Sequence, residues 1–80
     1  MTDQHEATDP GQALLTVLRD LLNDASITAE DDYYAVGGHS MLVVQVIRRL
    51  RKEYGLVLSA RAFAMDARVC ALASAVEDRR

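Results

Sequence analysis

The chain has 80 residues, half of them apolar, and a net charge of −3, which suits one small domain with a modest core. The single cysteine excludes an internal disulfide and a cysteine-based zinc site, and four aromatic residues leave the core mainly aliphatic. Without a secretory signal or a membrane-length apolar run, we expect a cytoplasmic protein with no membrane partner. Residues 1–32 carry eight acids against one base and residues 33–80 four acids against eight bases, giving −7 and +4; this asymmetry can steer a partner or merely reflect solvated faces.

The first predicted helix covers about residues 10–23 and follows a flexible leader at 1–9. Asp9 is a good N-cap residue and Pro10 suits the first helical position. Apolar residues then recur at helical spacing: Leu14, Val17, Leu18, Leu21 and Leu22.

Residues 23–39 form a long connection whose second part is an apolar patch, Tyr33–Val36, followed by Gly37 and Gly38. A connection of this length is usually functional or disordered. Because an apolar patch inside it should pack against the core, we expect this one to be functional.

The second helix is predicted from Ser40 to Tyr54, with Gly55 as its left-handed stop. Its inward face should carry Leu42, Val43, Val46, Ile47, Leu50 and Tyr54. The opposite face carries Met41, Val44, Arg48 and Lys52. We expect Met41, Val44 and Arg48 to form a docking contact for partner proteins, because two of them are apolar yet point away from the core.

The rest of the chain predicts a short helical turn at Arg61–Met65 and a last helix at about 67–78, capped by Asp66. No useful strand pattern appears. The fold class is therefore all-α: a small four-helix bundle of three main helices plus one short helix. Cys70 reads as a small buried hydrophobe. We expect mutual packing of Leu18, Leu22, Val43, Ile47, Leu50, Phe63, Leu72 and Val76.

Ser40 is the candidate for chemistry. The two glycines allow a sharp turn and leave open space before the helix, and Ser40 stands at the positive end of the helix dipole, where phosphate is favoured. On position alone, a simple N-cap is the better interpretation of Ser40, because serine often fills that position. A serine hydrolase is excluded, because His39 is an adjacent residue and Leu42 occupies the position where a nucleophile elbow needs glycine. The chain offers too few ligands for a metal site.

The segment Asp31–Leu42 resembles the attachment motif of thiolation domains, the carriers of nonribosomal peptide synthetases, whose usual form is D-x-F-F-x-x-G-G-H/D-S-L. Asp31 holds the acidic position, Tyr33 and Tyr34 stand for the two phenylalanines, and residues 37–40 match outright. Met41 replaces the usual leucine. The resemblance covers roughly residues 12–76, which makes residues 10–80 a carrier domain.

The resemblance implies a phosphopantetheine-binding, four-helix carrier protein without catalytic activity. A phosphopantetheinyl transferase with Mg²⁺ would attach 4′-phosphopantetheine from coenzyme A to Ser40, with Gly38 and His39 beside the arm. The arm would hold an aminoacyl or peptidyl thioester for an adenylation enzyme and for condensation or tailoring enzymes. The tyrosine rings should pack like phenylalanine, with their hydroxyls reaching water.

Two alternatives stay open beside the peptidyl carrier. An acyl carrier for polyketide-type assembly usually has aspartate before the serine and an acidic second helix, whereas this chain has His39 and a basic run at residues 48–52. A small helical nucleic-acid-binding module could use that basic helix, but the net acidity argues against a nucleic-acid partner. We expect a monomer, and the polar start and Arg79-Arg80 end predict a free-standing protein. Neither the cargo nor the loading enzyme follows from the sequence.

Overall fold

The computed structural model describes residues 9–78. Within this range, four helices pack around one apolar core. The helices are α1 (Pro10–Leu21), α2 (Ser40–Tyr54), α3 (Ala60–Met65) and α4 (Val69–Ala75). The all-α prediction, with three main helices and one short one, is confirmed. Two short strands are added, β1 (Leu56–Val57) and β2 (Glu77–Asp78). The predicted leader at 1–9 lies outside the described residues except for Asp9.

Helix α1 begins as the sequence predicts and ends earlier. The Asp9 carboxylate accepts a hydrogen bond from the backbone N–H of Gly11 at 3.3 Å, which confirms Asp9 as the N-cap. The predicted end at residue 23 is two residues too late, because Asn23 adopts a left-handed φ of 53° that ends the helix. Asparagine tolerates this conformation better than most residues.

Helix α2 has the predicted bounds and crosses α1. Gly55 stops it with a φ of 68° in the left-handed region. Arg49 pairs with Asp20 of α1 and with Glu53 one turn along α2. Only the pair with Asp20 joins the two helices, and because these groups are partly exposed, both pairs contribute little stability.

Helix α4 differs most from its prediction at 67–78. Its first two backbone N–H groups, of Val69 and Cys70, donate to the carbonyls of Asp31 and Ala29 at 2.8 and 2.9 Å. The predicted Asp66 cap is therefore wrong, since backbone carbonyls of the long connection serve that end of the helix.

Asp66 has a different role. Its carboxylate accepts hydrogen bonds from the backbone N–H and the guanidinium of Arg68. The guanidinium lowers the pKa of Asp66 to about 2.

Residues 76–78, which follow α4, are extended and not helical. Val76 has extended backbone angles, and Glu77 and Asp78 then pair antiparallel with Val57 and Leu56. Helix α4 does not continue to residue 78, because Glu77 and Asp78 form their backbone hydrogen bonds with β1 and not within a helix.

The core confirms most of the predicted packing. Of the predicted set, Leu18, Val43, Leu50, Phe63 and Leu72 are buried. The prediction is wrong in degree for Leu22, Ile47 and Val76, which are half-buried against the edge of the core. Ile47 lies at the edge of the inward face of α2, whereas Leu22 and Val76 follow the ends of α1 and α4. Cys70 is exposed, which corrects its assignment as a buried residue: Val69 and Leu72 point inward and Cys70 falls between them.

The long connection contributes two buried residues that helical periodicity does not predict. Ile27 and Tyr33 are both fully buried. The guanidinium of Arg19 donates two hydrogen bonds to the Ile27 carbonyl, at 2.9 and 2.7 Å. The backbone carbonyl of this buried residue therefore has hydrogen-bond partners. The connection is thus part of the packed domain.

Candidate functional site

Ser40 is exposed and is the first residue of α2. The N-cap position belongs to His39, which has extended backbone angles (φ −142°, ψ 168°) and whose side chain makes no capping hydrogen bond within residues 9–78. The reading of Ser40 as a simple N-cap is therefore wrong. Its hydroxyl stands at a helix start on the surface, accessible to an enzyme.

The two glycines before Ser40 serve different purposes. Gly37 has a φ of 107°, which a residue with a side chain rarely adopts, so the predicted sharp turn is confirmed there. Gly38 does not leave open space as predicted. A Cβ added to it would lie 2.5 Å from Cε1 and Cε2 of Tyr33 and nearer still to Cζ. Glycine is required at 38 because the Tyr33 ring occupies that volume.

Tyr33 is a core residue at the centre of the site. Its ring is fully buried and meets Phe63 edge-on, with centroids 5.0 Å apart. Its hydroxyl donates a hydrogen bond to the backbone carbonyl of His39 at 2.8 Å. The prediction that both tyrosine hydroxyls reach water is wrong for Tyr33, while Tyr34 is 45% exposed.

The loop in front of Ser40 is held by hydrogen bonds along its length. The Tyr33 N–H donates to the Ala67 carbonyl at 2.8 Å, and the Gly38 N–H donates to the Tyr33 carbonyl at 2.9 Å. The Asp32 carboxylate accepts from the N–H groups of Tyr34 and Ala35. The position of Ser40 is therefore set by a closed loop attached to the start of α4.

The surroundings of Ser40 fit a phosphodiester. The first amides of a helix have no partner within the helix, and the dipole of the 15-residue α2 favours a phosphate there. Ser40 is exposed, and a Cβ added to Gly37 would have no neighbour within 4 Å, so the approach is open on the Gly37 side of the turn. Gly38 and His39 precede Ser40 in this turn, and their place beside the arm stays a prediction.

The predicted docking residues share an exposed face of α2. Met41 is 80% and Val44 is 54% exposed, and Arg48 is also exposed, which confirms the predicted helical phase. Val44, Ile47, Arg48 and Arg51 line a shallow groove of about 230 Å³. Helical periodicity assigned Ile47 to the core and so missed its place at the edge of this groove.

Among the described residues, no group of three or more metal-binding side chains occurs. The longest helix they form, α2, has 15 residues. None of the helices in this part of the chain has the length and apolar character to cross a membrane.

The sequence profile for the phosphopantetheine attachment site matches residues 12–76. The chain belongs to this family. It therefore carries a covalently attached 4′-phosphopantetheine when modified.

Several proteins similar to this chain are synthetases. The chain is 38% identical over 68 residues to malpinin synthetase of Mortierella alpina and 33% identical over 67 residues to CymA of Salinispora arenicola, a probable non-canonical nonribosomal peptide synthetase. It is 39% identical over 50 residues to the pyochelin synthetase PchF of Pseudomonas aeruginosa. These matches cover 85%, 79% and 62% of the chain but only 1%, 1% and 3% of the relatives, so the likeness concerns one domain of each.

The fold is also that of a solved carrier domain. A structure described as a non-ribosomal PCP domain is 28% identical and superposes with a TM-score of 0.81, covering all of both chains. With the synthetase matches, this makes the chain a carrier domain of the peptidyl type. The acyl-carrier and nucleic-acid alternatives are not favoured.

Proposed function

We propose that Ser40 is the attachment residue and that the chain presents an aminoacyl or peptidyl thioester to the enzymes of nonribosomal peptide synthesis. The supporting observation is the exposed hydroxyl of Ser40 at the start of α2, behind a loop that core packing holds in place. The proposed partners are a phosphopantetheinyl transferase, an adenylation enzyme, and condensation or tailoring enzymes, acting in the cytoplasm. The chain supplies no catalytic group to their reactions.

In the attachment reaction, the Ser40 hydroxyl is the nucleophile. Its oxygen forms a bond to the phosphorus next to the pantetheine of coenzyme A, the pyrophosphate bond breaks, and adenosine 3′,5′-bisphosphate leaves. The hydroxyl proton passes to a base of the transferase, which also binds Mg²⁺. Gly38 and His39 lie beside the arm in the turn before α2, and the start of α2 stabilises the negative phosphodiester. The attached arm supplies a thiol that carries acyl groups as thioesters.

Attachment is tested by intact mass after incubation with a broad-specificity transferase, coenzyme A and Mg²⁺. The parent should gain one phosphopantetheine and Ser40→Ala none, with unchanged helicity by circular dichroism. Ser59→Ala is the matched control, because Ser59 is an exposed serine at the start of α3; this variant should be modified like the parent. Modification of Ser40→Ala would show that another residue is the attachment site.

We further propose that Met41, Val44 and Arg48 form the docking surface for these partners. The surface combines two exposed apolar side chains with a basic groove edge, which suits a partner that offers an apolar pocket beside a carboxylate. Buried apolar anchors dominate the energy of such contacts. The surface begins one residue after Ser40, so a partner that reaches the arm meets it.

This docking surface is tested with Met41→Asp, Val44→Asp and Arg48→Glu. We expect each aspartate to lower kcat/KM for the transferase or the loading enzyme by about tenfold, as for loss of an anchor. Thr16→Asp is the control, a change of another exposed β-branched helical residue. The effect of Arg48→Glu should fade as salt rises, whereas that of Met41→Asp should not. Unchanged kcat/KM in both aspartate variants would remove this face from recognition.

A further inference from the structure

The buried hydroxyl of Tyr33 connects the core directly to the residue before Ser40. Three contacts join residue 33 to the end of its loop. The Gly38 N–H donates to the Tyr33 carbonyl, the Tyr33 ring fills the volume that a Cβ of Gly38 would need, and the Tyr33 hydroxyl donates to the His39 carbonyl at 2.8 Å. The same side chain therefore packs in the core and holds the start of α2.

Packing alone does not account for the hydroxyl. A phenylalanine ring would fill the same space between Phe63 and Gly38, and a buried hydroxyl costs free energy unless it is hydrogen-bonded. The hydroxyl of Tyr33 adds a directional bond that a phenylalanine cannot make. Its acceptor is a backbone atom that belongs to the turn into α2.

The acceptor is the carbonyl that starts the helix. The His39 carbonyl also accepts the N–H of Leu42 at 3.0 Å, the first hydrogen bond of the helix. Two donors, one from the core and one from α2, therefore fix the plane of the peptide that joins His39 to Ser40. The direction of the Ser40 side chain relative to the axis of α2 depends on the orientation of that peptide plane.

We propose that Tyr33 is a positioning residue for the modification of Ser40: its hydroxyl holds the peptide before Ser40 in the orientation that the transferase requires. This inference rests on the proposed role of Ser40. The phenol remains a donor through the physiological range, because burial raises the pKa of Tyr33.

The test compares Tyr33→Phe with Tyr34→Phe, since the neighbouring Tyr34 is 45% exposed. The loss of one buried hydrogen bond shifts the equilibrium between the native orientation of the His39–Ser40 peptide and other orientations by about two- to tenfold, away from the native one. We expect kcat for phosphopantetheinylation of Tyr33→Phe to fall by up to that factor, with KM nearly unchanged because the α2 docking face stays intact. Tyr34→Phe should match the parent in both constants.

Amide hydrogen exchange on the unmodified protein gives a second readout that needs no transferase. In Tyr33→Phe, the amides of Gly38 and Leu42, which donate to the carbonyls of Tyr33 and His39, should exchange about two- to tenfold faster, while those of Val46 and Leu50 in the core keep their parent rates. Incorporation of 4-aminophenylalanine at position 33, which restores a donor, should recover kcat and slow exchange again. A 4-fluorophenylalanine at the same position should not.

Unchanged kcat together with unchanged exchange at Gly38 and Leu42 would overturn the proposal. Faster exchange throughout the core would also overturn it, because the hydroxyl would then support the whole fold and not the turn. Failure of the attachment proposal is separate: it would appear as modification of Ser40→Ala, whereas the exchange result at the turn would stand.

Discussion

Replacing Gly38 by alanine tests the central packing of the site. The added Cβ would lie 2.5 Å from two ring carbons of Tyr33 and nearer still to a third. Carbon atoms in contact are about 3.5–4.0 Å apart, so the ring or the loop must move by about 1 Å. The ring has little room, because it is fully buried and packs edge-on against Phe63. Overpacking of this kind costs about 1–3 kcal/mol.

The free energy of unfolding from urea denaturation measures this cost. Gly37→Ala is an informative comparison, because Gly37 has no neighbour within 4 Å of an added Cβ but has a φ of 107°. Its cost of about 1–2 kcal/mol should come from backbone strain alone. Both variants should lose stability, through different causes.

The double variant with Tyr33→Leu separates the two causes. A leucine removes the ring carbons that Gly38→Ala would meet, so Gly38→Ala should cost less in that background than in the parent. Gly37→Ala should cost the same in both backgrounds. The reasoning would be refuted if Gly38→Ala were as stable as the parent, or if its cost did not depend on residue 33.

Three further predictions concern stability. Leu50→Ala should cost about 2–5 kcal/mol in urea denaturation, because Leu50 is fully buried; the half-buried Leu42→Ala should cost less, and equal costs would contradict the packing. Burial raises the pKa of Tyr33, so the folded pKa exceeds the unfolded one. The contribution of the Tyr33 hydroxyl to the free energy of unfolding is therefore lost as pH rises above about 10. The difference in free energy of unfolding between the parent and Tyr33→Phe should become smaller above that pH. The pKa of Asp66 is lowered from 3.8 to about 2 by Arg68, so any difference between the parent and Asp66→Asn at neutral pH should disappear as pH falls through that window; a constant difference would contradict the pairing.

The helices and the exposed face were predictable because they depend on local signals. Helix α2 has the predicted bounds since Ser40 follows two glycines and Gly55 provides its stop. The same 3.6-residue period placed Met41 and Val44 outside. The 3.6-residue repeat decides which residues share a face of one helix, and this does not depend on the elements that pack against that helix.

The errors lie where long-range contacts decide. Helix α4 starts at Val69 because the carbonyls of Ala29 and Asp31 receive its first N–H groups, and nothing near Asp66 indicates so distant a partner. The two glycines look alike in sequence, yet only the Tyr33 ring explains Gly38. Ile27 gave one weak signal, an isolated branched apolar residue in a polar segment.

The distant contacts also make the attachment site part of the cooperative fold. The loop before Ser40 is attached through the Tyr33 N–H to the Ala67 carbonyl, and the carbonyls just before that loop cap α4. Local opening at the start of α4 would free both sets of hydrogen bonds, so the loop before Ser40 would keep only its contacts with Tyr33. Helix α4 has seven residues and no side-chain cap among the described residues. Its stability is therefore linked to the position of Ser40, which lies in α2. Changes at the start of α4 should alter the exchange of the Leu42 amide, which donates to the His39 carbonyl, before they alter the exchange of the α2 core.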